Sequence, residues 1–187
     1  TTSPTGGRVS RARRAARASP PERRLALSRQ IMALMREAYG LRGLADYLRS
    51  RDDVKHIWLF GASRTGASML AAAALAPEQV AAVNVHVPTC CGISWAERPY
   101  RGWGRPPSPD AEGLRTAAYF DPVSFAPDLA VPVVMDGGFY DGLAPAPGIV
   151  AFYNRATAAP FRRCSIEQGP HGYFQASRRK QMEAELA

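Results

Sequence analysis

An apolar strand that runs into a tight turn of small residues constrains this chain more than any other stretch. Residues 54–66 read VKHIWLFGASRTG, with Ser63 at the apex of the turn, and an alanine-rich run follows as far as Ala76. Gly61 and Ala62 are small enough for the strand and the following helix to pack closely, and a sharp turn would lift the Ser63 hydroxyl clear of the backbone. Strand, serine turn and helix in this order predict one unit of a parallel sheet with crossover helices.

The residue after the serine lies in the first turn of the predicted helix. The backbone N–H of Arg64 would therefore point out of the helix N-terminus, where it can help to hold an oxyanion. The spacing departs from the common G-x-S-x-G pattern, because Thr65 stands where the second glycine is expected and Gly66 comes one residue later. Small residues and serine are common in strand-to-helix turns, so the turn alone also fits a purely structural role.

The net charge of +8 over 187 residues suggests a nucleic-acid partner until its location is considered. Nine arginines and one acid, Glu22, lie in residues 1–36, whereas the remaining residues hold 15 basic and 15 acidic side chains. The folded part therefore gives no electrostatic reason to expect nucleic acid. Residues 1–21, rich in arginine, alanine and proline, are predicted to be a disordered tail, with an anion-binding or nucleic-acid-binding arm as the alternative.

The cysteines, the apolar runs and the N-terminus exclude further classes of protein. The three cysteines, Cys90, Cys91 and Cys164, cannot form a disulfide framework and lack the spacing of metal ligands, so thiols are expected and no metal or other cofactor is predicted. No apolar run has the length of a transmembrane helix, and the N-terminal arginines precede no apolar segment typical of a secretory signal. We expect no membrane partner, and because the chain begins at Thr1 we expect a preceding segment.

Strand-like and helix-like segments alternate through residues 22–187, which predicts one α/β domain with a parallel sheet and right-handed crossovers. The four predicted strands are the segment before Gly61 and residues 80–87, 131–136 and 161–166. The predicted helices are residues 22–38, then, after a break at Gly40 and Gly43, residues 44–48, followed by 63–76, 110–114, a short helix after Pro122, 148–158 and 174–186.

Three polar side chains follow three of these strands. Ser63 follows the first strand, Asp141 the third and His171 the fourth. Because the carboxyl ends of parallel strands share one edge of the sheet, we expect these side chains to meet. Serine, acid and histidine in this order are typical of hydrolases with a serine turn. We therefore predict Ser63 as the nucleophile, His171 as the base and later the acid, and Asp141 as the residue that orients the imidazole.

Other polar side chains offer alternatives to these assignments. Asp136, at the end of the third strand, is the alternative acid. His86, at the end of the second strand, is expected to line the substrate pocket rather than act as the base, and His56 lies at the opposite end of the sheet. Asp121 and Asp128 are predicted to be turn and cap residues.

The long loop over residues 88–109 is rich in glycine, proline and aromatic residues. Trp95, Tyr100 and Trp103 are predicted either to form an apolar wall that stacks on a sugar ring or only to pack the loop. Cys90 and Cys91 are expected to pack at the base of the loop, and since no base is placed beside them they are not predicted as nucleophiles.

The order of these motifs resembles the acetyl xylan esterase and cephalosporin-C deacetylase group, which is carbohydrate esterase family seven and its relatives in the α/β-hydrolase superfamily. The matching segments within residues 39–175 are GASRTG at 61–66, YFD at 119–121, VPV at 131–133, GFYD at 138–141 with Pro145, AFYN at 151–154 and GPHGY at 169–173. The arginine after the serine, Arg64, is instead similar to the glucuronoyl esterases, in which that arginine helps to polarise the carbonyl.

The resemblance implies a partial α/β-hydrolase fold: about four parallel strands with flanking helices, the N-terminal strands being missing. It implies deacetylation of acetylated sugars or xylo-oligosaccharides through an acyl-enzyme, with Ser63, Asp141 and His171 as the triad. The family's N-terminal half also carries the second oxyanion donor, so we expect impaired activity. The alternative is a non-catalytic fragment that pairs with a partner, or with itself as a homo-oligomer, through its open sheet edge.

Overall fold

The computed structural model describes residues 20–94, residues 111–172 and residue 184. In chain order the elements are α1 (Pro20–Arg49), β1 (Trp58–Ala62), α2 (Ser63–Leu75), a 3-10 helix (Pro77–Gln79), β2 (Ala82–His86), α3 (Ala111–Ala118), α4 (Pro122–Phe125), a second 3-10 helix (Ala126–Asp128), β3 (Val133–Gly138), α5 (Ala146–Arg155) and β4 (Arg162–Glu167). Most of the predicted tail and, apart from residue 184, the predicted last helix lie outside the described residues.

The four strands form one parallel sheet in the order β1-β2-β3-β4. Each strand lies beside the next one in the chain, because a helical crossover returns the backbone to the starting edge. The register places Ala62 beside His86 and His86 beside Asp136. The carboxyl ends of the strands therefore share one edge, and the predicted sheet of about four parallel strands with flanking helices is confirmed.

One face of the sheet forms the core of the domain. The inward side chains are fully buried at Val83, Val85, Val133 and Met135. Helix α2 packs on this face through Met69 and helix α5 through Ile149, each in close contact with a glycine of the sheet. All six residues of β3 are buried, which is typical of parallel strands that are covered by crossover helices.

Strand β1 lies at the edge of the sheet. Within the described ranges it pairs with β2 along one side, and no described strand pairs with its other side. Trp58 is 38% exposed and Phe60 is 43% exposed, whereas Leu59 between them is buried. An edge strand that carries exposed aromatic side chains can pair with a further chain segment.

Helix α1 differs from the sequence-based prediction. It is one continuous helix of 30 residues, so the predicted break at Gly40 and Gly43 is wrong. Glycine costs only about 1 kcal/mol relative to alanine in a helix interior. Buried Leu34, Ala38 and Ala45 lie on the face of α1 that packs against the rest of the domain, and this packing offsets the cost.

Candidate active site

Ser63 lies at a strained turn between β1 and α2. Its φ angle is +55°, in the left-handed region that non-glycine residues rarely adopt. A Cβ at Gly61 would lie 2.8 Å from the Met69 side chain and 2.9 Å from the Gly66 nitrogen, and one at Gly66 would lie 3.2 Å from the Gly61 oxygen. Gly66, although one residue later than in the common pattern, therefore permits the close approach of helix and strand that the serine turn requires.

Asp141 comes from the loop after β3. The residue is 1% exposed, and its Oδ1 accepts hydrogen bonds from the backbone N–H groups of Leu143 at 2.7 Å and Ala144 at 2.9 Å. These two bonds fix the carboxylate within its own loop. Its other oxygen, Oδ2, lies 2.7 Å from Nδ1 of His171.

His171 comes from the loop after β4, and its side chain is 23% exposed. Its Nε2 lies 3.1 Å from Oγ of Ser63. The loops after β3 and β4 are joined by backbone hydrogen bonds from Phe139 to Glu167 and from Tyr140 to Gly169. The structure thus brings the three residues predicted from the sequence into one continuous line of hydrogen bonds.

The close fit of the two loops depends on Gly138, the last residue of β3. A Cβ at this position would lie 2.4 Å from the backbone oxygen of Gly169 and 3.0 Å from that of Pro170. Backbone atoms cannot move aside in the way that the end of a flexible side chain can. A glycine at position 138 therefore allows the histidine loop to lie directly against the aspartate loop.

This geometry is suited to proton transfer. With Nδ1–H donating to the Asp141 carboxylate, the lone pair of Nε2 faces the Ser63 hydroxyl. An imidazole in this tautomer can take the hydroxyl proton while the serine oxygen attacks an electrophile. The carboxylate keeps the ring in that orientation and stabilises the imidazolium that forms.

The arginine after the serine has a partner that the sequence did not suggest. Nη2 of Arg64 lies 2.8 Å from Oε1 of Glu37, and Oε2 of Glu37 accepts a hydrogen bond of 2.6 Å from the Ser68 hydroxyl. The guanidinium thus connects α1 to α2, while the Arg64 backbone N–H lies in the first turn of α2. Glu37 belongs to a helix without any chemical motif, so no sequence signal could have identified it.

A second histidine–aspartate pair lies within the sheet itself. Nδ1 of His86, on β2, contacts Oδ1 of Asp136, which lies on β3 directly beside it. Asp136, the alternative acid, contacts the imidazole of His86 in the structure, whereas His171 pairs with Asp141, so the geometry favours Asp141 over Asp136. Asp136 is also not at a strand end, since β3 continues to Gly138.

The role of His86 in lining a pocket stays a prediction. Trp95, Tyr100 and Trp103, which were predicted to stack on a sugar or to pack the loop, lie outside the described residues.

Cys164, on β4, lies close to this second pair. Burial, and secondarily the negative charge of Asp136, raises the pKa of the Cys164 thiol to about 11. The thiol is therefore protonated at neutral pH, which is unsuitable for a nucleophile.

In the described part of the chain, no group of three or more His, Cys, Asp or Glu side chains is arranged to hold a metal ion. Among the same residues, no helix combines the length and the apolar character needed to cross a membrane.

The solved structures to which this chain is similar include two acetyl xylan esterases. The chain aligns with acetyl xylan esterase 1 from Thermoanaerobacterium sp. JW/SL YS485 at 20% identity and a TM-score of 0.63, over 76% of this chain and 49% of that one. An acetyl xylan esterase from Paenibacillus sp. R4 aligns at 21% identity and a TM-score of 0.63, over 78% and 49%. Est1E from Butyrivibrio proteoclasticus, solved with bound ferulic acid, aligns at 20% identity and a TM-score of 0.62, over 82% and 68%.

These likenesses show the α/β-hydrolase fold, and the chain spans about half the length of the two acetyl xylan esterases. A comparison with curated protein sequences finds no match. The model of one protein family, acetyl xylan esterase (AXE1), matches residues 44–182, which include the serine turn and both loops of the site. The chain belongs to the acetyl xylan esterase (AXE1) family.

Proposed function

We propose that this chain is the catalytic half of a serine carboxylester hydrolase that removes acetyl groups from acetylated sugars or xylo-oligosaccharides. The observation that carries the proposal is the line of hydrogen bonds from Asp141 through His171 to Ser63, with the serine on a strained turn. Membership of the acetyl xylan esterase family supports the substrate class.

In the first half of the proposed reaction, His171 Nε2 takes the Ser63 proton as Oγ attacks the acetyl carbonyl carbon. The tetrahedral intermediate carries a negative charge on the former carbonyl oxygen, and the Arg64 backbone N–H is the proposed donor to it. Collapse of the intermediate breaks the bond to the sugar oxygen. The imidazolium returns its proton to that oxygen, so the sugar leaves as an alcohol and Ser63 is acetylated.

In the second half, a water molecule replaces the sugar. His171 takes a proton from water as its oxygen attacks the acetyl group, and then returns the proton to Ser63 Oγ as acetate leaves. Asp141, held by two backbone N–H groups, stabilises the imidazolium in both halves.

The resemblance implies that one oxyanion donor of the family lies in its N-terminal half, outside the segments that match this chain. The loss of one such donor lowers the rate by roughly 10²–10³-fold. We therefore propose that the chain alone hydrolyses activated acetyl esters slowly and acetylated sugars more slowly still.

The test is p-nitrophenyl acetate hydrolysis by the wild type, by Ser63→Ala and by Ser124→Ala. Ser124 is an exposed serine on α4, so its variant controls for the substitution itself. We expect Ser63→Ala to fall to the uncatalysed rate while Ser124→Ala keeps the wild-type rate. Equal rates in the wild type and Ser63→Ala would overturn the proposal.

A second candidate function is favoured by the open edge of β1. In this alternative the chain is not catalytic, and two copies pair through that edge, covering Trp58 and Phe60, which are 38% and 43% exposed. Pairing of this kind would satisfy backbone donors and acceptors along β1 that no described strand satisfies.

The mass in solution distinguishes the two candidates. Self-pairing through β1 predicts a dimer by size-exclusion chromatography with light scattering, and Phe60→Lys should shift it to monomer. Tyr119→Lys is the matched control, because Tyr119 is 76% exposed and directly follows α3 instead of belonging to a strand. A folded wild-type monomer would contradict this second candidate.

A further inference from the structure

A carboxylate that takes no part in the proposed chemistry lies buried at the start of α4. Asp121 is 0% exposed, and its two oxygens accept four hydrogen bonds. The Val123 N–H donates to Oδ1 at 3.0 Å, which makes Asp121 the N-cap of α4, as predicted from the sequence. The other three bonds come from a distant part of the chain, so capping alone does not account for this residue.

Those three donors belong to the loop after β2, residues 87–94, called here the β2 loop. The Gly92 N–H donates to Oδ1 of Asp121 at 2.9 Å. The N–H and the hydroxyl of Ser94 both donate to Oδ2, at 3.0 Å and 2.7 Å. Both oxygens of one buried carboxylate thus hold the far end of the β2 loop.

The backbone of the β2 loop is strained. Val87, Cys90 and Gly92 have φ angles of +42°, +65° and +75°, and two of these three residues are not glycine. Non-glycine residues in the left-handed region are strained and persist only where surrounding contacts fix them. The hydrogen bonds to Asp121 are such contacts.

The near end of the β2 loop contacts the serine turn. The Thr89 N–H donates to the carbonyl oxygen of Ser63 at 3.0 Å. Ser63 is itself in the left-handed region, with φ of +55°, so its orientation also depends on the contacts around it. A continuous path of hydrogen bonds and short backbone therefore joins Asp121 to the turn that carries Ser63.

We propose that Asp121 is a positioning residue for Ser63: by holding the β2 loop at Gly92 and Ser94, it places the Thr89 N–H on the Ser63 carbonyl and so fixes the serine turn. This inference rests on the proposed function for its effect on rate. A misplacement of about 1 Å can cost roughly 10²-fold in rate without any change in the reacting groups.

The test compares Asp121→Asn with Asp128→Asn. In Asp121→Asn, one of the two accepting oxygens is replaced by an NH₂ group, which cannot accept a hydrogen bond. At least one N–H or O–H group that now donates to Asp121 then faces another donor, so the β2 loop must move away. Asp128 is an exposed carboxylate on the neighbouring 3-10 helix, and its variant is the matched control. Both proteins are assayed at a temperature at which circular dichroism shows them folded.

We expect Asp121→Asn to lower kcat for p-nitrophenyl acetate about 10–100-fold with KM within about twofold. We also expect faster amide hydrogen exchange at Thr89 with unchanged exchange along β2. Asp128→Asn should match the wild type in both. A folded Asp121→Asn protein with wild-type kcat and wild-type exchange at Thr89 would overturn the inference. An Asp121→Asn protein that differs from the wild type only in a lower melting temperature would overturn it as well.

Ser94→Ala keeps the inference testable if Asp121→Asn does not fold. It removes one of the four bonds and should lower kcat a few-fold with faster exchange at Thr89, and wild-type behaviour in both would overturn the inference. The exchange measurement does not depend on esterase activity. If the wild type hydrolyses no ester, the proposed function fails, while exchange at Thr89 still tests whether Asp121 fixes the serine turn.

Discussion

The two histidine–aspartate pairs of this molecule contain the same residue types and are similarly buried, but they differ in origin. His171 and Asp141, with side chains 23% and 0% exposed, come from loops after β4 and β3. His86 and Asp136, with side chains 21% and 6% exposed, lie side by side on β2 and β3. The loop pair extends beyond the sheet to Ser63, whereas the strand pair is fixed by the register of the sheet.

Neither residue type nor burial therefore identifies the pair that can do chemistry. What distinguishes the loop pair is the serine turn, where a left-handed Ser63 presents its hydroxyl at 3.1 Å from the histidine ring. The strand pair is expected to contribute to stability and to the wall of the site. Substitutions at matching positions of the two pairs can separate these roles.

The largest difference is expected between His171→Ala and His86→Ala. Removal of the base of a serine hydrolase lowers kcat by roughly 10⁵-fold or more, so His171→Ala should fall to the detection limit. His86→Ala should change KM up to about tenfold and leave kcat within a few-fold, because a pocket wall affects binding rather than proton transfer. Steady-state kinetics with p-nitrophenyl acetate measures both, and a comparable loss of kcat in the two variants would erase the distinction.

The second-largest difference is expected between the aspartates of the two pairs, Asp141 and Asp136. Asp141→Asn leaves the base in place but favours the wrong tautomer of His171, which costs roughly 10⁴-fold in kcat in serine hydrolases. Asp136→Asn should lower the free energy of unfolding by about 1–3 kcal/mol, because it disturbs a buried polar pair, and leave kcat within about tenfold. Urea unfolding and kinetics on the same samples check this, and greater loss of activity in Asp136→Asn would reverse our assignment.

Two glycines near Asp141 test whether the loop pair depends on backbone contact. Gly138→Ala forces a Cβ against the Gly169 backbone, so we expect about 1–3 kcal/mol lower stability and a kcat lowered on the order of tenfold. A Cβ at position 142 would meet no atom within 4 Å, so Gly142→Ala should change neither the stability nor kcat by much. Thermal unfolding and kinetics measure both effects, and equal behaviour of the two variants would show that the contact is unimportant.

The smallest effect concerns the thiol beside the strand pair. Asp136→Asn removes a negative charge and should lower the pKa of Cys164 from about 11 toward, but not to, its ordinary value of 9.0, because burial remains. A raised pKa stabilises the folded state below pH 9.0, and this contribution is lost as the pH rises toward 11. Alkylation of the Cys164 peptide against pH, followed by mass spectrometry, measures the shift, and an unchanged profile would contradict it.

The arrangement of the three candidate residues could be predicted from the sequence because each of them follows a strand. In a parallel sheet the carboxyl ends share one edge, so Ser63, Asp141 and His171 could be brought together by topology alone. The contact of Glu37 with Arg64 and Ser68 could not be predicted, since it depends on how α1 packs against α2. Packing between helices leaves no local sequence pattern that would identify Glu37 as the partner of Arg64.

Glycines caused the main errors in the predicted elements. At Gly40 and Gly43 a break was predicted, but the packing of α1 outweighs the small cost of glycine in a helix. At Gly137 a strand end was expected, whereas β3 continues through this residue, which pairs with Ile166 of β4. A Cβ at position 137 would lie 2.7 Å from Ile149. Here glycine serves close packing rather than a turn, and only the three-dimensional neighbours reveal the difference.

Covalent labelling tests whether His171 activates Ser63. The wild type, Ser63→Ala and His171→Ala are each incubated with a fluorophosphonate, which reacts with activated serines, and the adduct is located by peptide mass spectrometry. We predict one adduct on the peptide that contains Ser63 in the wild type and none in either variant. An adduct on another serine, or equal labelling of His171→Ala and the wild type, would show that His171 does not activate Ser63.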